Sequence, residues 1–182
     1  MQFGRALAGL HRVSQHQFGL DHDNFIGKTA QPNTLEENAV NFYREQRFRF
    51  QQALARKNRK LPKSVDIKLD KLMDSLDKWL DPAGEKPALL HGDLWSGNYF
   101  AGSRKNSAPQ PFIFDPATHF GLREADLAMT ELFGRLPQAF YDAYNEAFPL
   151  TPGYAERKKL FNLYHLLNHL NLPARDAQAG KI

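Results

Sequence analysis

Apolar side chains recur every three to four residues along most of this chain, which is the period of an amphipathic helix. Near the start, Phe3, Ala6, Leu7, Leu10 and Val13 follow this period. The same spacing predicts helices over residues 3–13, 34–57, 64–80, 123–133, 137–148 and 153–170. Helices therefore account for most of the expected structure.

Three short apolar segments interrupt the helical pattern and have the composition of strands. They cover Ala88–Leu90, Asn98–Ala101 and Pro111–Phe114. Residues 19–33 are rich in turn-forming side chains and are expected to form a loop, and the small, polar residues 173–182 a disordered tail. The pattern predicts a mostly helical α+β fold with a small strand-and-loop island between helices.

Length and composition are those of a globular protein. The 182 residues suffice for one domain, which buries roughly 70% of the unfolded surface. No apolar run reaches the roughly 18 residues that a membrane span needs, so we expect no membrane partner. The absence of cysteine excludes disulfides and thiolate metal sites. Together these features favour a cytoplasmic protein.

The chain is basic, with a formal net charge of +4. Its densest basic stretch lies at residues 56–63, near the end of a predicted helix, where cations are favourable. No aromatic side chains are interleaved with this stretch, as they would be in many nucleic-acid-binding surfaces. We therefore expect a solvated helix end and no nucleic-acid partner.

The strand-and-loop island carries the candidate chemistry. In LLHGDLWSGNYF, His91, Asp93 and Asn98 have the H-x-D-x-x-x-x-N spacing of a kinase catalytic loop. In FIFDP, Asp115 follows an apolar strand, 17 residues after Asn98. Kinases place a second metal-binding carboxylate in this order. The alternative is a surface loop in which these side chains only cap turns.

Phosphoryl transfer explains this combination of side chains. One carboxylate must orient the attacking hydroxyl and accept its proton, and oxygen ligands must hold Mg²⁺ against the phosphates of ATP. Asp93 suits the first role, whereas Asn98 and Asp115 suit the second. His91 is expected to brace the loop by hydrogen bonding.

Two motifs, HGDLWSGN and FDPATHFGLREADLAM, resemble the signature of the fructosamine kinase (ketosamine-3-kinase) family within the aminoglycoside phosphotransferase-like kinases. Similarity extends to GLHRVSQHQFGLDHDNFIG, FYREQRFRFQ and LFNLYHLLNHLN. The resemblance covers roughly residues 3–172 and implies the C-terminal catalytic lobe of a protein-kinase-like fold, which we assign to residues 1–172.

The resemblance implies an enzyme that transfers the γ-phosphate of ATP to the 3-hydroxyl of a ketosamine, formed when a sugar reacts with an amine such as a protein lysine. The unstable product then detaches, which makes the reaction a deglycation repair. By resemblance, Asp93 is the base, Asn98 and Asp115 bind Mg²⁺, and Trp95 contacts the substrate, although plain packing is its alternative.

Other polar residues of the motifs suit structural roles. Arg123, Glu124 and Asp126 lie at a predicted helix start, where acidic side chains complement the free N–H groups. His165 and His169 have a spacing compatible with zinc, but HLLNH lacks the glutamate of H-E-x-x-H. A packed histidine pair is the preferred interpretation.

The chain lacks the sequence features of a nucleotide-binding lobe. Upstream of His91 there is no G-x-G-x-x-G, and long helices are predicted where kinases have a glycine-rich loop and a strand lysine. We expect negligible turnover by this chain alone. We also expect an exposed apolar face that favours self-association or binding of the missing N-terminal lobe.

Three alternatives remain open at this level. The chain could be a truncated, non-catalytic kinase-like binding module, or it could belong to another phosphotransferase acting on an aminoglycoside, choline or homoserine. It could also be a metal-dependent hydrolase that uses His91, Asp93, Asp115 and His119.

Overall fold

The computed structural model describes residues 2–80, 84–103 and 107–173. Its helices are α1 (Gln2–Leu10), α2 (Ala39–Asn41), α3 (Phe50–Lys57), α4 (Lys63–Met73), α5 (Glu124–Leu132), α6 (Gln138–Ala147) and α7 (Tyr154–Asn171). Its strands are β1 (Asn24–Ile26), β2 (Thr29–Gln31), β3 (Ala88–Leu90), β4 (Tyr99–Gly102), β5 (Gln110–Ile113) and β6 (His119–Gly121). The predicted mostly helical α+β class is confirmed. The predicted tail lies, except for Pro173, outside the described residues.

The helix predicted over residues 34–57 begins later, at Ala39. The backbone of Glu36 instead pairs with Phe18, through hydrogen bonds of 2.8 and 3.0 Å. Asn38 caps the helix, since its side chain accepts a hydrogen bond from the Asn41 N–H. Between α2 and α3 the helix is continuous but π-helical over Phe42–Arg49, a variant often found at functional sites.

The helix predicted over residues 64–80 is divided in two. α4 ends at Met73, and a separate 3₁₀ turn covers Leu76–Lys78. The hydroxyl of Ser75 donates to the carbonyls of Lys71 and Leu72. Such hydrogen bonds from a side chain compete with the backbone hydrogen bonds of a helix, and the spacing of apolar residues does not reveal them.

The loop expected at residues 19–33 contains an antiparallel hairpin, which corrects that prediction. β1 and β2 pair with Asn24 opposite Gln31 and Ile26 opposite Thr29. Gly27 stands first in the two-residue turn with a φ of 57°, a left-handed conformation that favours glycine there. The hairpin tip is therefore a specific turn.

Two further antiparallel pairs form the predicted island. β3 pairs with β6, and β4 pairs with β5. The sequence predicts β3, β4 and β5 to within about two residues at their ends. It misses β6, in which Phe120 is flanked by a histidine and a glycine and no apolar run marks a strand. The β3–β6 pair brings the segment after Leu90 beside the segment before His119.

Two buried apolar clusters hold this island in place. The first packs the α2–α3 helix against α4 and α7 and includes Ala117. The second joins α1, α5 and α6 and includes Leu94. The loops on either side of the candidate site are thus each anchored in a different cluster. No helix in the described part of the chain is long and apolar enough to cross a membrane.

Candidate active site

The backbone of the His91–Asn98 loop is fixed by a carboxylate from α5. Asp126 Oδ2 accepts a hydrogen bond of 2.7 Å from the His91 N–H, and Oδ1 accepts one of 2.8 Å from the Gly92 N–H. Gly92 has a φ of 83°, and a Cβ there would collide with the Ala117 carbonyl oxygen. Only glycine fits this close approach between the two loops.

The imidazole of His91 joins this loop to the one that carries Asp115. Its Nε2 lies 2.9 Å from the Phe114 carbonyl oxygen and donates to it. Its Nδ1 is then the acceptor for the Asp93 N–H, at 3.3 Å. His91 therefore joins the Asp93 loop to the Asp115 loop through hydrogen bonds.

Asn98 contacts both of the residues that carry the candidate carboxylates. Its Nδ2 donates to the Asp93 carbonyl oxygen at 2.9 Å, to Asp93 Oδ2 at 3.3 Å and to the Asp115 carbonyl oxygen at 3.4 Å. These contacts all use Nδ2, which leaves the carboxamide oxygen of Asn98 to bind a cation. Asp115 itself has a φ of 54°, an uncommon backbone conformation that often marks functional sites.

Asp93, Asn98 and Asp115 open into one cleft of about 220 Å³. Trp95 lines it from the same loop, and Ile26 and Gly27 line it from the tip of the β1–β2 hairpin. The remaining lining residues are Phe133, His165, Asn168, His169 and Leu172. A larger cleft of about 430 Å³ elsewhere contains none of the predicted site residues.

The environment of Asp93 makes it a better base than an ordinary aspartate. Burial, together with the negative charges of Asp115 and Asp126, raises the pKa of Asp93 to about 7. The hydrogen bond from Asn98 opposes these effects. A pKa near the working pH is what general-base catalysis requires.

The oxygen donors of this cleft fit Mg²⁺ better than a transition metal. Mg²⁺ in phosphotransferases is held by one or two protein oxygens together with phosphates, and Asn98 and Asp115 can provide such a pair. In the described part of the chain, no group of three or more His, Asp or Glu side chains could hold a metal ion. His91 and His119 bond to backbone carbonyls, which argues against the hydrolase alternative.

Comparison with known protein families agrees with a phosphotransferase site in this cleft. The family model for fructosamine kinases matches residues 1–179. The chain belongs to the fructosamine kinase family. The family predicted from the two long motifs is therefore confirmed.

Its relatives are named as kinases. The probable ketoamine kinase of Vibrio parahaemolyticus is 46% identical over 173 residues, which cover 94% of this chain and 57% of the relative. That of Synechocystis is 45% identical over 175 residues, covering 94% and 56%. A kinase is a phosphotransferase, so these names agree with the predicted enzyme class.

Two solved structures of fructosamine-3-kinases are also similar to this chain. A fructosamine-3-kinase structure from Thermobifida fusca matches with a TM-score of 0.84 and 37% identity, over 98% of this chain and 61% of that one. One from Haemophilus somnus matches with a TM-score of 0.79 and 34% identity, over 91% and 54%. The chain thus spans little more than half the length of its relatives.

In this fructosamine kinase chain, Arg123 and Glu124 form ion pairs away from the cleft. Arg123 bonds to Glu85 at 2.7 Å, and its guanidinium lies 3.8 Å from the centre of the Phe148 ring. Glu124 is fully buried and forms two hydrogen bonds with Arg157, at 2.6 and 2.7 Å. Both contacts tie α5 to neighbouring segments.

Asp126 differs from its two neighbours because it touches the His91–Asn98 loop directly. Behind it, His11 Nε2 lies 3.1 Å from Asp126 Oδ2, and His11 Nδ1 lies 2.8 Å from the Tyr144 hydroxyl. Burial alone would raise the pKa of Asp126, but His11, His91 and the Gly92 N–H hold it below its ordinary value. Neither this contact with the loop nor the role of His11 is among the predictions from the sequence.

One exposed apolar patch lies beside the site, on the β4–β5 pair. Phe100, Phe112 and Phe114 are 53%, 44% and 46% exposed. The rings of Phe100 and Phe112 stack with centroids 5.2 Å apart, and Phe114 lies 5.9 Å from Phe100. Phe114 directly precedes Asp115, so the patch, here called the Phe100 patch, adjoins the candidate metal ligands.

Proposed function

We propose that this chain is the C-terminal catalytic lobe of a ketosamine kinase, which transfers the γ-phosphate of ATP to the 3-hydroxyl of a ketosamine. The observation that carries the proposal is the convergence of Asp93, Asn98 and Asp115 on one cleft. Family membership and the names of the relatives support the same reaction.

In this proposal Asp93 is the general base. The substrate oxygen forms a bond to the γ-phosphorus, the bond from that phosphorus to the leaving ADP oxygen breaks, and the hydroxyl proton passes to the Asp93 carboxylate. The raised pKa supports this role. The hydrogen bond from Asn98 Nδ2 to Asp93 Oδ2 keeps the carboxylate aligned.

Asn98 and Asp115 are the proposed ligands of Mg²⁺, which when bound supplies charge neutralisation for the phosphates. Asn98 offers its carboxamide oxygen, since its contacts within the chain use Nδ2. Asp115 offers a carboxylate on a loop that His91 holds against the Asp93 loop. His91 thus fixes the position of Asp115 relative to the loop that carries Asp93 and Asn98.

Trp95 is the proposed substrate-contacting side chain, because it lines the cleft next to Asp93. An aromatic face suits the apolar surface of a sugar and the cationic amine of a ketosamine. Arg123, Glu124 and Asp126 are proposed to act structurally, by bracing α5 and through it the His91–Asn98 loop.

The nucleotide-binding lobe is proposed to belong to the part of its relatives that this chain does not span. The Phe100 patch supports a partner at this face, because large apolar patches mark interaction surfaces. The partner is either that lobe or a second copy of the chain. Positioning and electrostatics provide nearly all catalysis in phosphoryl transfer, so the chain alone should turn over negligibly.

The proposal is tested with a chimera that adds the part of a relative which this chain does not span. The chain is joined to the preceding portion of the Vibrio parahaemolyticus relative, and phosphate transfer to a fructosamine is measured. We expect activity that Asp93→Asn abolishes and that Asp142→Asn, at an exposed site on α6, leaves intact. Lack of transfer by a folded chimera, or undiminished transfer by the Asp93 variant, would contradict the proposal.

A non-catalytic binding module is the second candidate, because the chain spans little more than half the length of its relatives. It predicts that the folded chimera binds Mg²⁺ and ATP without transferring phosphate. A thermal shift measures this binding, since a ligand of the folded state raises the melting temperature. The family match disfavours the aminoglycoside and choline alternatives.

A further inference from the structure

The indole of Trp95 lies with one face against the backbone of Gly97. A Cβ added at Gly97 would collide with Cζ2 and Cη2 of that indole and lie 2.8 Å from Cε2. An atom in the plane of the ring could not come this close to three consecutive ring atoms, so the place of the missing Cβ is over the ring face. The indole therefore occupies space that any side chain at position 97 would need.

A tight turn brings the glycine and the indole together. The Trp95 carbonyl oxygen accepts a hydrogen bond of 2.9 Å from the Asn98 N–H, which closes a four-residue turn with Gly97 in the third position. At the start of this turn, the Trp95 N–H donates to the Asp93 carbonyl oxygen at 3.0 Å. The turn is thus fixed at both ends, and a group added at Gly97 would displace the ring more readily than the loop.

The indole, and not the backbone conformation, is what requires a glycine at this position. The φ of Gly97 lies outside the left-handed region, so alanine could adopt the same backbone. At Gly4, Gly19 and Gly92 the atom nearest to an added Cβ is a backbone oxygen, whereas at Gly97 the three nearest atoms all belong to the Trp95 side chain. Gly97 is itself exposed, so nothing else excludes a side chain there.

This contact determines the shape of one wall of the cleft. Trp95 lines the cleft that contains the proposed base and metal ligands, whereas Gly97 does not. A methyl group at Gly97 would push the indole away from the loop and into new positions in a cleft of only about 220 Å³. Asp126 holds the loop backbone at His91 and Gly92, ahead of this turn, and would not be disturbed.

We propose that Gly97 is a positioning residue for substrate binding: without a side chain there, the indole of Trp95 lies back against the loop and presents its other face to the ketosamine. This inference rests on the proposed function, in which Trp95 contacts the substrate. An aromatic ring binds a cation through its face, so its tilt matters as much as its presence. Gly97 thus affects the affinity for the ketosamine without touching it.

The first test measures the contact itself by proton NMR of the chain. The ring current of an indole shifts protons over its face to high field, so one Hα signal of Gly97 should lie well upfield of those of Gly9. Gly9 is the reference because it has no atom within 4 Å of an added Cβ. Trp95→Leu should return the Gly97 signal to an ordinary position. An identical Gly97 signal in the wild type and in Trp95→Leu would overturn the inference.

The second test measures kinetics in the chimera with the Vibrio parahaemolyticus portion. Gly97→Ala should raise the KM for fructosyl-lysine about three- to tenfold, the range for an aromatic contact. The kcat should stay within about twofold, because substrate binding is weakened and the chemical step is not. Trp95→Leu should raise KM similarly, and adding Gly97→Ala to it should have no further effect. Gly9→Ala, on the exposed side of α1, is the control and should leave both constants unchanged.

The outcomes separate this inference from the proposed function. A normal KM in Gly97→Ala, beside a raised KM in Trp95→Leu, contradicts the inference alone. So does a lowered kcat at unchanged KM, which would mean that alanine disturbs the Asp93 loop. If Trp95→Leu leaves KM unchanged, the proposed substrate contact is wrong and the inference with it, while phosphate transfer still supports the proposed reaction. A folded chimera without transfer contradicts both.

Discussion

The carboxylate of Asp126 lies 2.7 Å from the backbone nitrogen of His91, so a helix of the buried core holds the loop that carries the proposed base. Two backbone N–H groups and His11 surround that carboxylate. The geometry of this loop is therefore set from behind the cleft, by a residue that does not line it.

Replacing Asp126 with asparagine should destabilise the chain. The substitution removes the charge that accepts from His91 and Gly92 and places an amide against those donors. We expect a loss of about 2–3 kcal/mol in the free energy of unfolding, as for buried bonds to charged groups. Urea unfolding measures it, and Asp142→Asn on exposed α6 is the matched control. Equal stability of both variants would show that the Asp126 bonds contribute little.

The buried pair of Glu124 and Arg157 should show strong coupling. Arg157→Leu leaves the fully buried Glu124 carboxylate without its partner, which should cost about 3–5 kcal/mol. Changing both residues to leucine should cost less than the single change, because no unpaired charge remains. A double-mutant cycle followed by urea unfolding measures this coupling.

The control for that cycle is the exposed pair of Arg5 and Glu146. Glu146→Gln should change stability by less than about 1 kcal/mol, since solvent screens exposed ion pairs. Additive effects of Glu124→Leu and Arg157→Leu would contradict the account of a buried pair.

The buried ring of His119 should make stability depend on pH. Burial lowers the pKa of His119 to about 3, so the unfolded chain binds a proton below pH 6.5 that the folded chain does not bind. The contribution of the uncharged His119 ring to the free energy of unfolding is complete above pH 6.5 and is lost as the pH falls toward 3. By pH 5 the loss should reach roughly 2 kcal/mol.

The test compares the wild type with His119→Phe between pH 7.5 and 5, by urea unfolding. The comparison is needed because Asp93, whose pKa is raised to about 7, acts in the opposite sense. The stability difference between the two proteins should shrink by about 2 kcal/mol as the pH falls. A constant difference would mean that His119 is protonated equally in the folded and unfolded states.

The Phe100 patch should cause the chain to self-associate when no other partner covers it. Light scattering should detect a mass that increases with concentration, and Phe100→Ser with Phe112→Ser should reduce that increase. Phe25→Ser, which removes an exposed ring from β1, is the control and should have a smaller effect. A wild-type chain that stays monomeric at high concentration would contradict this prediction.

The sequence predicts the residues of the site better than it predicts the site's shape. His91, Asp93 and Asn98 lie within eight consecutive residues, and Asp115 follows a strand that pairs back onto the segment after Asn98. Their spacing is set locally and is therefore visible in the sequence. Helix periodicity is visible for the same reason.

The remaining parts of the site depend on contacts between distant segments. Asp126 reaches His91 across 35 positions, and His165 reaches the cleft from the last helix. One local signal exists for Asp126, since Leu122 and Met129, four residues before it and three after it, place this acidic side chain on an apolar helix face. The β1–β2 hairpin is hidden because Gln31 points inward, where an apolar residue is the usual signal.

Cation binding by Asn98 and Asp115 is the central claim of this account, and titration with Mn²⁺ as a probe for Mg²⁺ tests it most directly. The wild-type chain should bind one Mn²⁺ that Mg²⁺ displaces, and Asp115→Asn and Asn98→Ala should each weaken binding by at least about tenfold. Asp142→Asn should bind as the wild type does. Absence of binding by the folded wild-type chain, or equal binding by all four proteins, would contradict the account.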